Sequence, residues 1–392
     1  MQELVSVFMS RTPLGWLQLM HRPGRMFVAV MGVAFANLLV FMQLGFMGMV
    51  YDTTIITHLN LKGDIVLTGS ITRQLAGVGT MPRRRLIQAL EVEGVEEAAA
   101  LYYANVDWIN PYSKQKGTFG VFGVDPDRPV FTNDEINRQL WKLKIPDTIL
   151  FDRRARGEWK DIVRRVSGGE SVTAEIAGRR ASVEGLFSIG AAINSAGILV
   201  TSDTTWLRMN AQRSAGTVSL ALVTVKPGYD PEEVAKRLSA WLPASDTRVL
   251  TYPVFIEKEK SFMKSDNTVA YIFSFGVIMG LAIGAAIVYQ VLSSDVADHL
   301  KEYATFKAMG FTQGFLLAIV FEEALILAVL GFCPSLILSL GLYRVVQLAT
   351  ALPMLMPLDR PVTVFALTVG MCSLSGAIAT RRLASADPAD VF

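Results

Sequence analysis

The chain has 392 residues, 51% hydrophobic and 18% charged, with 37 Lys and Arg against 35 Asp and Glu and a formal net charge of +2. Soluble domains carry about 25% charged residues, and the apolar excess here is gathered into long runs, which points to membrane spans. The near-neutral balance gives no electrostatic case for nucleic-acid binding, and both cysteines, Cys333 and Cys372, lie inside apolar runs, so the large polar region folds without disulfides.

The N-terminal segment, residues 1–25, reads as a cytoplasmic helix carrying Arg11, Arg22 and Arg25. The first apolar run follows only after it and is too long for the core of a signal peptide, so it is expected to be a retained span. Residues 26–51 form that span; about 20 apolar residues suffice to cross a ~30 Å hydrocarbon core. Residues 267–293 form the second span, 312–346 the third and 361–380 the fourth, closed by Arg381 and Arg382. Basic residues flank both ends of this four-span layout, so both termini are expected to be cytoplasmic. Residues 52–266 are then outside, 294–311 inside, 347–360 a short outer loop and 381–392 a cytoplasmic tail. The expected fold class is a multi-pass α-helical membrane protein with four transmembrane helices and a large extracytoplasmic α+β domain between the first and second.

The two ends of the outer domain look alike. GDIVLTG, MPRRRLIQALEVEG and VEEAAALYYANVDWIN read as strand, helix and strand, and so do TVSLALVTVKPG, DPEEVAKRLSAWLP and DTRVLTYP. The second helix starts with Asp230 as N-cap and Pro231 at the first helical position, and Val234, Leu238 and Leu242 share one face. Residues 52–126 and 217–266 thus form a discontinuous β-α-β layer similar to a split ferredoxin-like arrangement. Residues 127–216 read as a β-rich inserted subdomain, and FIEKEKSFMKSDN as a charged helix leading into the second span.

Several chemistries are missing. No P-loop and no G-x-S-x-G occurs, and the three histidines, His21, His58 and His299, have no metal-site spacing. The stretch SIGAAINSAG reads as a turn between strands, with anion cradling as the alternative. Glu322 and Glu323 are expected near the cytoplasmic interface, where a charge costs little, with a packing or coupling role between protomers as the alternative. Asn37 and Gln43 are expected to make helix–helix contacts, and Gly276, Gly280 and Gly284, spaced by four, form a candidate dimer seam.

The inner segment SDVADHLKEYATFKAMGF is the most informative. Read as a helix, it places Val296, Leu300, Tyr303 and Phe306 on an apolar stripe and Asp295, Asp298 and Glu302 on an acidic one, and Gly310 ends it. Acids are repelled by an anionic inner leaflet, so a protein partner matches this stripe better than lipid does.

KEYATFKAMGF resembles the REIGxxRAxGA-type segment of FtsX-like ABC permeases, the group that includes the MacB and LolC/LolE types. Lys301 and Glu302 match its basic-acidic pair, Lys307 its second base and Gly310 its glycine. FANLLVFMQLGF, the run GVIMGLAIGAAIVYQVLSSDVADHLKEYATFKAMGF and the terminal ADPADVF are similar to the DevC-type permease of DevBCA exporters; Ser293–Ser294 stands where that type usually has Tyr-Thr. The resemblance implies a non-enzymatic permease subunit in a bacterial inner membrane. It implies a homodimer whose inner helices dock into a separate DevA-like ABC ATPase, which binds ATP and Mg; this chain itself carries no cofactor. The contact residues it implies are Asp295, Asp298, His299, Glu302, Tyr303, Lys307 and Gly310. A DevB-like periplasmic adaptor, a TolC-like outer-membrane channel and membrane lipids are the other expected partners, with a glycolipid or other amphiphile as cargo. The alternative is an FtsX-like protein that relays ATPase motion to a cell-wall hydrolase.

Overall fold

The structure is a computed structural model and describes residues 14–21, 23–72, 75, 79–192, 194–265, 268–299, 302, 305 and 309–380. The chain divides into two compact units. One takes in the first-span helix to Gly48, Thr268–Val345 and the segment from Met354; the other takes in Met49–Asn267 with Val346–Pro353.

In the second unit, nine strands among the described residues form one sheet in the order β11-β1-β10-β3-β4-β8-β5-β7-β6. They are β1 (Ile65–Gly69), β3 (Val95–Ile109), β4 (Lys116–Val124), β5 (Thr148–Asp152), β6 (Val172–Ile176), β7 (Arg179–Phe187), β8 (Ile198–Ser202), β10 (Leu220–Val225) and β11 (Thr247–Thr251). The short β2 (Met81–Pro82) and β9 (Thr217–Val218) pair with each other alongside.

The strands of the two β-α-β units interleave. β1 lies between β10 and β11, β10 lies between β1 and β3, and every one of these pairings is antiparallel. Each crossover helix therefore bridges over a strand of the other unit, as in a ferredoxin-like layer. These helices are α1 (Arg84–Leu90) and, near the C-terminal end of the domain, Pro231–Trp241. Asp230 caps the latter by accepting from Glu232 N at 3.2 Å, and Val234, Leu238 and Leu242 are buried.

The insert does not stand apart as a subdomain. β8 pairs in parallel with β4, β5 pairs antiparallel with β8, and β7 and β6 continue outward. The sheet then curls until Ile176 of β6 reaches Trp108 of β3. Unpaired backbone at the β4 edge is costly when buried, and the insert supplies its partner.

Both faces are covered. Helices α1, α2 (Lys160–Ser167), α3 (Asp203–Met209) and α4 (Pro231–Trp241) sit over a core that includes Trp108, Phe119, Phe151, Trp159 and Trp206. The opposite face packs Phe122, Phe131, Leu140 and Phe187 with Phe255 of α5 (Tyr252–Ser265). Strand β1, IVLTG, is buried throughout because it is covered on both sides, so it lacks the in-out alternation of a half-exposed strand. Arg85 of α1 ties the two β-α-β units together by a bidentate contact to Asp246, with Nη2–Oδ2 at 2.6 Å and Nε–Oδ1 at 3.2 Å.

The other unit holds the apolar helices. Four helices among the described residues are long and apolar enough to cross a membrane, and the α/β domain lies between the first and second. The first-span helix runs Pro23–Ile56, the second Thr268–Asp298, the third Gln313–Thr350 and the fourth Asp359–Ala379. Three of them outrun the apolar stretches expected from hydropathy. The first passes residue 51 because nothing in Asp52–Ile56 breaks a helix, and Thr53 Oγ1 donates back to Met49 O at 2.7 Å. Pro334 lies inside the third; Ser335 Oγ donates to Phe332 O at 2.7 Å in the same turn.

Candidate functional site

The segment expected to be an inner coupling helix is joined to the second span. The helix Thr268–Asp298 passes through Ser293–Ser294 without a break, since YQVLSSDVAD holds neither Gly nor Pro. The expected boundary at 293/294 is therefore a change in composition within one helix. Glu302 and Thr305 are also helical. Gly310 closes the segment with φ +92°, and Met309 N donates to Thr305 O at 3.0 Å. An added Cβ at Gly310 would meet nothing within 4 Å, so the left-handed backbone, not crowding, calls for glycine there. Tyr303 and Lys307 lie outside the described residues, as do Leu300, Lys301 and Phe306 of the expected stripes.

The three acids expected on one stripe do not share an environment. Asp295 is buried, with Oδ2 3.6 Å from His299 Nδ1, and His299 is buried too. Asp298 is partly exposed and ion-paired to Arg25, while Glu302 is exposed. Asp295 is buried, whereas Glu302, seven residues further on, is exposed. A contact surface for a partner can use Glu302 and the exposed part of Asp298; Asp295 and His299 face inward, which corrects their expected place on such a surface.

What Asp295 faces is Glu323. This carboxyl is wholly buried and within reach of the Asp295 carboxyl, and neither of its oxygens meets a hydrogen-bond donor among the described residues. Gly15 packs over it: a Cβ there would lie 3.0 Å from Glu323 Cγ. Glu323 is shielded from solvent by the N-terminal helix Leu14–His21, whose Gly15 lies against it, so its carboxyl is buried in protein whatever its depth in the membrane. Glu322 is half-buried.

The polar and small residues of the spans also have partners within the chain. Thr368 Oγ1 lies 2.8 Å from Asn37 Oδ1, joining the fourth span to the first. Gly276 abuts Gln43, Gly280 abuts Val40, and Gly284 abuts Ala36 and Met371. A close helix approach of the kind this spacing permits occurs against the chain's own first and fourth spans.

In the α/β domain, SIGAAINSAG is a turn that does cradle an anion, but one belonging to the same chain. The fully buried Asp152 accepts from Gly190 N at 2.6 Å, Ile189 N at 3.2 Å and Arg154 N at 3.0 Å. Burial raises its pKa above the usual carboxylate range, and these amide hydrogen bonds oppose that shift. Sequence spacing cannot pair residue 152 with residues 189–190; β5 and β7 bring them together. Among the described residues no group of three or more His, Cys, Asp or Glu is placed to hold a metal ion.

Comparison with known proteins adds one family. Residues 274–388 match the family described as FtsX-like permease C-terminal. No curated protein matches the chain. Among solved structures, it is similar to the periplasmic region of MacB from Actinobacillus actinomycetemcomitans at 10% identity and TM-score 0.35, over 51% of this chain and 94% of that one. It is similar to the extracellular domain of the noncanonic ABC-type transporter YknZ from Gram-positive bacteria at 11% identity and TM-score 0.33, over 48% and 99%. A domain of a putative permease protein from Porphyromonas gingivalis is similar at 15% identity and TM-score 0.30, over 49% and 88%. The stretch that matches, residues 274–388, takes in most of the second span, the segment after it and the third and fourth spans.

Proposed function

We propose that this chain is the membrane permease subunit of an ABC exporter in a bacterial inner membrane. It works with a separate ATPase and has no enzymatic step of its own. The observation that carries this reading is the family match over residues 274–388, which spans the helices on both sides of the segment ending at Gly310. In this reading both termini and that segment are cytoplasmic, and the α/β domain is periplasmic. ATP binding closes the ATPase pair, the exposed end of the segment around Glu302 follows it, and the second and third spans carry the movement outward.

The finer assignment is to the DevC type. It rests on the SDVADHLKEYATFKAMGF run and the terminal ADPADVF. It calls for a DevB-like adaptor, a TolC-like channel and an amphiphilic cargo such as a glycolipid. It also calls for two copies of the chain.

The test is co-purification of the ATPase encoded beside this chain. Glu302→Lys is expected to abolish it while the chain still folds and inserts. Full co-purification and unchanged transport in that variant would sink the coupling role.

A further inference from the structure

We propose that the α/β domain carries a binding site for a phosphate group borne on a small polar headgroup. The site is a cleft of ≈ 360 Å³ where three segments meet: the start of β4, the loop after β5 and the loop before β8. Its lining includes Gln115, Lys116, Thr118, Arg156, Asn194 and Ser195.

Main-chain hydrogen bonds hold the three segments together. Ala196 N donates to Thr118 O at 2.6 Å, Arg156 N to Ala196 O at 2.6 Å and Gly120 N to Gly197 O at 3.1 Å. The buried Trp159 supports the floor. Its Nε1 donates to Arg156 O at 2.8 Å, and a Cβ on Gly117 would come 2.8 Å from its ring. Gln115 Oε1 accepts from Glu158 N at 2.5 Å, which orients that side chain and leaves its NH2 group as a donor. The walls are therefore set before any ligand arrives, which lowers the ordering cost of binding.

The charged side chains that line the cleft are basic. Its lining holds two bases and no acid, and neither Lys116 nor Arg156 is held by a carboxylate among the described residues. By contrast Arg83, Arg85, Arg128, Lys144 and Arg153 of the same domain each are. Two acids neighbour the rim: Asp107, opposite Thr118 across the β3–β4 ladder, accepts from Thr118 Oγ1 at 2.8 Å, and the exposed Glu158 follows the lining Gly157.

Two cations with amide and hydroxyl groups at one mouth match a doubly charged, many-acceptor phosphate better than a singly charged carboxylate. The named lining side chains are polar, so the site takes a headgroup and not an acyl chain. For its role in transport the proposal rests on the export reading, since it identifies the polar end of the cargo; the binding itself does not depend on it.

The test is calorimetric titration of the full chain in phosphatidylcholine nanodiscs with three probes: inorganic phosphate, glucose 6-phosphate and dihexanoyl phosphatidic acid below its micelle threshold. Saturable binding of at least one is expected. Binding by inorganic phosphate or the sugar phosphate alone assigns a soluble ligand; binding by the phosphatidic acid assigns a lipid headgroup. Lys116→Ala with Arg156→Ala is expected to weaken binding at least tenfold with the unfolding temperature unchanged. Asn194→Asp, at an exposed position, is expected to abolish it by adding a negative charge to the mouth. No saturation by any probe, or equal affinity in both variants, overturns the proposal. Co-purification of the ATPase is read separately, so failure of the export reading is distinguishable from failure of this site.

Discussion

Arg25 Nη1 lies 2.5 Å from Asp298 Oδ2, tying the start of the first-span helix to the last residue of the second-span helix. Arg25 Nη2 also approaches Val291 O at 3.5 Å. A base read in the sequence as a sign of orientation is thus also a structural clamp, and much of the Asp298 charge is answered within the chain. Glu302 is left as the exposed acid of the stripe.

The pair is about one-third exposed on both sides, so solvent screens it, and its coupling is expected to be about 0.5–1 kcal/mol. A double-mutant cycle with Arg25→Ala and Asp298→Ala, read from thermal unfolding in micelles, measures that value directly. Asp298→Ala is also expected to leave ATPase co-purification largely intact, in contrast to Glu302→Lys. Loss of co-purification in both variants to the same extent would move the contact back to Asp298.

Glu323 gives a second prediction. It is a fully buried carboxyl beside that of Asp295, with no donor on either oxygen among the described residues. Glu323→Gln brings an NH2 group to the Asp295 carboxyl at nearly the same volume, and is expected to stabilise the membrane unit by about 1–2 kcal/mol. The check is the unfolding temperature of the purified chain in one fixed detergent. A fall in that temperature would mean that the carboxyl is held by a donor.

The span glycines separate into two kinds. An added Cβ at Gly331 would crowd Val33 Cβ at 2.7 Å and Val30 O at 3.3 Å, and one at Gly284 would crowd Ala36 Cβ at 2.8 Å. Gly331→Val and Gly284→Ile are expected to cost about 1–3 kcal/mol by overpacking. At Gly341 and Gly370 nothing lies within 4 Å, so Gly→Ala is expected to gain up to about 1 kcal/mol of helix propensity. Thermal unfolding of the four variants side by side tests the contrast.

The Arg85–Asp246 contact predicts a pH dependence. Hydrogen bonding from Arg85 holds the Asp246 carboxyl below its ordinary 3.8. A carboxylate with a depressed folded pKa adds stability that is fully present above the ordinary value and is lost as pH falls through the depressed one. The α/β domain of the full chain, followed by the fluorescence of the buried Trp108, Trp159 and Trp206, is therefore expected to weaken below about pH 4. Asp246→Asn should lower stability at neutral pH and flatten this acid limb; an unchanged acid limb would remove Asp246 from it.

What the sequence by itself determined is what depends on neighbours along the chain. Crossing a membrane takes a run of apolar residues of sufficient length, so the four spans were legible, although their ends were not, because helices continue through polar residues until something breaks them. The β-α-β repeats, the Asp230 cap and the Gly310 stop were legible for the same reason: caps and periodicity are set within a few residues. The acidic stripe of Asp295, Asp298 and Glu302 was legible as an angle about a helix axis, but not as a depth. Only the tertiary structure decided that Asp295 meets Glu323 inside the bundle, that Gly284 receives Ala36 and Met371 of the same chain, and that Asp152 fills the SIGAAINSAG turn. It also decided that the insert extends one sheet, since strand pairing joins residues far apart in sequence and no local pattern names the partner. Lys116, Arg156 and Asn194 come from three separate segments, and only the β3–β4–β8–β5 arrangement brings them to one cleft.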